Sequence, residues 1–164
     1  MENPVEILKD LIRIDSQCNL SNKKIVEYIK TKLQRFEIKE FHFINSDLEL
    51  YNLVIKIHGK KSDHPIIFAG HTDTVPTSPN WTMAPLEPTI KDNKLYGLGS
   101  ADMKSGLACI IAAALNLKGE PEEDIYILLD ADEEASGSGG RELIKEFTIT
   151  NARVLLAEIG RAHV

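Results

Sequence analysis

Three short apolar runs constrain this chain most, because each leads directly into a side chain of metal-ligand type. Pro65-Ile-Ile-Phe-Ala69 runs into Gly70-His71, Asp124-Ile-Tyr-Ile-Leu-Leu129 into Glu133-Glu134, and Val154-Leu-Leu-Ala157 into Glu158. Runs this short, rich in β-branched and aromatic residues and apolar on both faces, suit strands in the middle of a sheet. Helix-length segments separate them. Residues 103–117 are alanine-rich with almost no polar face, and residues 138–147 carry Leu143, Ile144 and Phe147 as an inward stripe. Strands alternating with helices predict βαβ units, hence an α/β domain with a mostly parallel sheet flanked by helices. Loops leaving the carboxyl ends of such strands build the ligand crevice.

Upstream, Asn3 followed by Pro4 reads as a helix start. Val5, Leu8, Leu11 and Ile12 then recur at helical spacing over residues 4–14. Ser21 or Asn22 can cap a second helix with the stripe Ile25, Val26, Ile29, Leu33 and Phe36. Residues 38–43 alternate with period two and residues 53–57 form another strand. A turn is expected over residues 59–63, and a surface loop ending in a short strand pair over residues 76–94.

With 164 residues the chain can bury one core. A formal net charge of −6 argues against nucleic acid or an anionic membrane as partner. No signal-type N-terminal stretch and no bilayer-length run is present, and Cys18 and Cys109 are isolated, so a cytoplasmic setting is expected.

Each polar element alone is weak. A histidine after a strand is more often structural than a ligand, and the glycines of Leu95-Tyr-Gly-Leu-Gly99 lack the strand and helix of a dinucleotide fingerprint. Together they say more. His71 and Asp73, two residues apart at a strand end, can point the same way, so Asp73 can hold the ring while its other nitrogen binds a metal. Asp102 can share its two oxygens between cations. Glu133 and Glu134 point in different directions, one free to bind metal and the other to act as a base. Gathering so many carboxylates without cations would be costly, because like charges repel and burial removes water.

The runs Gly70-His-Thr-Asp-Thr-Val-Pro76, Leu95-Tyr-Gly-Leu-Gly-Ser-Ala-Asp-Met-Lys104 and Ala131-Asp-Glu-Glu134 resemble the M20 family of metallopeptidases and N-acyl amino acid deacylases. Within it they are most similar to the acetylornithine deacetylases, then to the succinyl-diaminopimelate desuccinylases. One departure is Ser105 before Gly106, where the family usually has glycine directly after the lysine.

The resemblance implies a zinc-aminopeptidase-like catalytic domain holding two divalent cations, zinc first, with cobalt or manganese as alternatives. His71 and Glu158 would bind one ion, Asp102 would bridge, and Glu134 would bind the other. Glu133 would be the general base and Asp73 the partner of His71. The peptide after Asp102 is expected to be cis. The implied reaction is hydrolysis of the amide bond of an N-acyl amino acid, as in arginine biosynthesis. A dipeptidase or carboxypeptidase, a succinyl-diaminopimelate desuccinylase, and a metal-binding or structural α/β domain without catalysis are the alternatives.

Residues 1–158 are then read as the N-terminal part of the catalytic domain. A lid and dimerisation domain and the last histidine ligand would lie outside the chain, so the chain by itself is expected to be inactive and the full-length protein a homodimer. Ile159-Gly-Arg-Ala-His-Val164 departs from the family's continuation. It matches a translation of ATC-GGA-AGA-GCA-CAC-GTC, part of a short-read sequencing adapter, so residues 159–164 are read as a non-native tail. The adapter's preceding bases would also supply the end of codon 158, so the acidic identity of Glu158 rests on the family's pattern.

Overall fold

The computed structural model describes residues 1–156. Glu158 and the tail at 159–164 lie outside the described residues. The chain opens with helix α1, Pro4–Arg13, whose first turn is closed by Asn3 accepting a hydrogen bond from the Val5 amide. Ile7, Leu11 and Ile12 face the core, whereas Val5 is solvent-exposed, so the inward stripe is rotated from the expected one. Helix α2, Lys23–Leu33, buries Ile25, Val26, Ile29 and Leu33.

Strand β1, Glu37–Asn45, turns back into β2, Leu48–Ile57, through Ser46 and Asp47. Both turn residues have positive φ, 49° and 69°, the geometry a two-residue hairpin needs to match strand twist. β3 spans Lys61–His71. Its start replaces the turn expected over residues 59–63: Lys61 already pairs with Glu123, and the register shifts before Ile66. A ribbon of β4, Thr89–Lys91, and β5, Lys94–Tyr96, follows, then α3, Lys104–Asn116, and β6, Glu123–Asp130. Helix α4, Ser138–Glu146, and β7, Arg153–Leu156, complete the described residues.

The main sheet has the order β1-β2-β6-β3-β7. β6, β3 and β7 are parallel, as the βαβ pattern predicts. β1 and β2 join antiparallel, with Leu53 opposite Leu129. Among the described residues two of the four pairings of this sheet are antiparallel, so the sheet, flanked by helices as expected, is mixed. For β1 and β2 the cause is local: a two-residue hairpin can only return antiparallel, whereas a parallel neighbour needs a crossover.

Leu53, Ile55 and Ile57 on β2, with Ile127 and Leu129 on β6, enter one core with Leu11 of α1, Ile29 of α2 and Leu107 and Ile111 of α3. The alternating residues of β2 serve the opposite face, where α4 lies. There the buried Asn52 accepts from the Ala131 amide at 3.0 Å and donates to the Gly139 carbonyl at 2.8 Å. Leu143 of α4 is buried, but Ile144 is exposed, so the expected inward stripe on this helix is narrower. Among the described residues β7 is the sheet edge, and its Val154, Leu155 and Leu156 are exposed. No helix among the described residues is long and apolar enough to cross a membrane.

Gly139 is where α4 meets the sheet. A Cβ there would lie 2.1 Å from the Ala131 carbonyl oxygen and 2.9 Å from Asn52 Oδ1. Backbone cannot yield as a flexible side chain can, so Gly139→Ala is expected to destabilise the fold by about 1–3 kcal/mol, measured by urea unfolding. An unchanged midpoint would mean that α4 shifts without cost.

Candidate metal centre

The polar residues singled out in the sequence converge at the carboxyl ends of β3 and β6. His71 is the last residue of β3 and pairs in register with Asp130, the last of β6. Beside it, Gly70 leaves room for Met103, whose Cε would lie 2.2 Å from a Cβ at that position. Met103 Sδ accepts a hydrogen bond from the His71 amide at 3.0 Å. The Asp102–Met103 peptide is cis, as the family's pattern implies.

Nε2 of His71 lies 3.1 Å from Asp102 Oδ1 and 3.9 Å from Glu133 Oε2. Nδ1 lies 3.0 Å from the Asp73 carbonyl oxygen and 3.5 Å from its Oδ1. The ring therefore faces Asp73 on one side and Asp102 on the other. One ligand atom each from His71, Asp102 and Glu134 can be chosen so that all lie within 4.8 Å of one another. This donor set, one imidazole and two carboxylates, fits zinc, cobalt or manganese.

Asp73 does more than face the ring. Its Oδ1 accepts from the Glu133 amide at 3.2 Å and its Oδ2 from the Glu134 amide at 3.1 Å. One buried carboxylate thus ties the loop after β3 to the loop after β6. Burial alone would lower the affinity of His71 for a proton, but Asp73, Asp102 and Glu133 outweigh it and push its pKa up to about 9. Burial and the nearby charge of Asp102 raise that of Glu134.

Of the six residues proposed from sequence, five are brought together here: His71, Asp73, Asp102, Glu133 and Glu134. Glu158 is the sixth, beyond the described residues. Three further residues take parts around the site that the sequence did not assign to them. Asp130 shares a cleft of about 230 Å³ with His71 and Glu133. Burial, then the charges of Asp73 and Glu133, raise its pKa to about 6 against the opposing pull of His71. The sequence signal was there, since Asp130 ends an apolar strand two residues before Asp132.

Lys104 is the second. It is neither a surface residue nor paired directly with a carboxylate: it is 1% exposed and donates to the Ile14 carbonyl at 2.8 Å. Burial lowers its pKa to about 8, with Asp15 opposing. The ammonium thus sits at the carboxyl end of α1, where a helix favours a cation. Asn22 is the third: its Nδ2 donates to the Tyr51 carbonyl and the Thr72 hydroxyl, and its Oδ1 accepts from the Tyr51 amide.

Because the raised pKa of His71 favours the protonated fold, its contribution is complete below about 6.5 and is lost as pH rises through about 9. The metal-free protein should lose that stability over this interval. A divalent cation at Nε2 competes with the proton, so its affinity should rise over the same interval. Ring chemical shifts and metal titrations at several pH values check both; a ring titrating at or below 6.5 would show that the carboxylates do not dominate.

Residues 67–161 match the model of peptidase family M20/M25/M40, a span that takes in all six proposed site residues. The chain is 41% identical over 101 residues to a succinyl-diaminopimelate desuccinylase of Delftia acidovorans, covering 58% of the chain and 26% of that protein. It is 32% identical over 169 residues to an acetylornithine deacetylase of Photorhabdus laumondii, covering 97% of the chain and 43% of that protein. The chain thus spans less than half the length of these curated relatives. The structure of human carnosine dipeptidase 1 superposes with a TM-score of 0.83 at 19% identity, over 95% of this chain and 38% of that one. At that identity the likeness is one of fold.

Proposed function

The chain belongs to the M20/M25/M40 peptidase family, and on that premise we propose that the protein hydrolyses the amide bond of an N-acyl amino acid with two divalent cations, zinc by preference. The observation that carries this reading is the convergence of His71, Asp102 and Glu134, whose ligand atoms lie within 4.8 Å of one another, beside Glu133. Asp102, half-exposed between His71 and Glu134, is the residue two cations would share, with Glu158 assigned as the further ligand of the ion on His71.

When bound, the cations polarise the scissile carbonyl and favour ionisation of water. The chain's own residues do the rest. Glu133, also half-exposed, takes the proton of the attacking water at its carboxylate and delivers it to the departing amine. Asp73 holds the Glu133 and Glu134 amides, which keeps base and ligand in one fixed relation. The carbonyl of Asp73 accepts the Nδ1 proton of a neutral His71, leaving Nε2 to the metal.

N-acetylornithine is the substrate we favour, which would set the protein in arginine biosynthesis in the cytoplasm. The alignment with an acetylornithine deacetylase over nearly the whole chain supports it. The 41% identity with a desuccinylase favours an N-succinyl amino acid as the second reading. In either case residues 1–158 form the first part of a catalytic domain. The remaining strands, a smaller lid domain and the last histidine ligand belong to a chain of the relatives' length, acting as a homodimer.

Four measurements on that full-length enzyme test the proposal. Metal analysis should find two zinc ions per chain, and chelation should abolish turnover until zinc is restored. Glu133→Gln should lower kcat by about 10²–10⁴-fold while retaining both ions. N-acetylornithine should be turned over faster than N-succinyl-diaminopimelate or a dipeptide. Preference for the dipeptide would end the deacylase reading, and undiminished activity in Glu133→Gln would remove Glu133 as the base.

A further inference from the structure

We infer that Asn45, at the end of β1, is a positioning residue for the centre: acting through Asp132, it fixes the turn from which Glu133 and Glu134 reach the site. The functional consequence rests on the two-cation reading above, but the geometry stands without it.

Asp132 has a positive φ of 62°. Outside glycine that region is sparsely used, and Asp or Asn tolerates it best because the side chain can bond locally. Here the bonds go to one atom. Asp132 Oδ2 accepts from Asn45 Nδ2 at 3.0 Å, from the Ser138 amide at 3.2 Å, from the Ser138 hydroxyl at 2.5 Å and from the Ser136 hydroxyl. The Asp132 carbonyl accepts from the Gly137 amide at 2.6 Å and closes the turn.

Three of the four side-chain acceptor bonds are local, from residues four and six positions on. Asn45 is the distant donor, 87 positions earlier in the chain. Its Nδ2 also lies 3.1 Å from Ser136 Oγ and 3.2 Å from Ser138 Oγ, so it stands at the centre of the cluster rather than at its margin. Asp132 is 4% exposed, and a carboxylate so buried depends on its donors. The next two amides along the chain, those of Glu133 and Glu134, are the ones that Asp73 accepts. The turn is therefore held from two sides, by Asp73 at the end of β3 and by Asn45 at the end of β1.

A merely structural Asn45 would serve the hairpin it precedes, and its loss would disturb Ser46 to Leu48. The positioning role instead predicts an effect at residues 133 and 134. Amide hydrogen exchange on the full-length enzyme and its Asn45→Ala, Asp132→Ala and Asp132→Asn variants separates these roles, with cobalt binding followed by its visible absorption.

In Asn45→Ala, exchange of the Glu133 and Glu134 amides should quicken about tenfold, while β6 amides from Ile125 to Leu129 keep their wild-type rates. Cobalt affinity should fall about tenfold. Asp132→Asn should stay close to wild type, because the amide oxygen can occupy the place of Oδ2 and asparagine tolerates the same φ, whereas Asp132→Ala should behave like Asn45→Ala or worse.

Unchanged exchange at Glu133 and Glu134 in Asn45→Ala, or a rise spread evenly through the protein, overturns the inference. So does an Asp132→Asn variant as impaired as Asp132→Ala, which would mean that the charge acts and not the geometry. A wild-type protein that takes up no cobalt defeats the two-cation reading instead, and the exchange rates still decide the role of Asn45.

Discussion

The centre depends on one carboxylate. Asp73 spends both oxygens on the backbone amides of Glu133 and Glu134, and so joins the loops that leave β3 and β6. These strands are parallel neighbours with His71 opposite Asp130, so their loops emerge side by side on one edge of the sheet. Adjacency alone would leave two mobile loops. The paired amide bonds, made by a buried ion to fixed donors, turn adjacency into a defined distance between the imidazole and the acidic pair.

The same logic recurs at the other contacts around the site. Asn22 ties the start of α2 to Tyr51 and Thr72, Asn52 ties the start of α4 to the end of β6, and Lys104 ties the start of α3 to the end of α1. Each is a polar group at or below 1% exposure. Burial without partners would be costly for all three, and the partners, main-chain groups together with the Thr72 hydroxyl, are ones that only this arrangement supplies. Apolar packing in the core is tolerant of small shifts. These directional bonds are not, and they lie where helices and strands deliver side chains to the centre.

Much of this was legible beforehand. The runs ending in His71 and in Glu133-Glu134 are local signals, because a strand's apolar period and the polar residue that follows it lie within a few positions of each other. The helices over residues 4–14 and 103–117 were readable for the same reason. Val5 and Ile144 were misplaced because periodicity gives the width of a stripe but not which way the helix is rolled against its neighbours. The antiparallel half of the sheet escaped because β2 reads as a buried strand whichever way its neighbour runs. Nor did Asn45 stand out, since an asparagine before a turn is ordinary until the fold brings Asp132 against it.

The order and chemistry of the ligands thus belong to the sequence: which side chains end strands, that they are imidazole and carboxylates, and that their crowding calls for cations. Those are properties of short segments, set by residue type and spacing. How Asp73 grips two amides, why Lys104 is buried, where Asp130 faces and what steadies the Glu133-Glu134 turn were decided only by the tertiary structure. These features depend on contacts between residues far apart in the chain, and no local pattern encodes a partner that folding has yet to bring near.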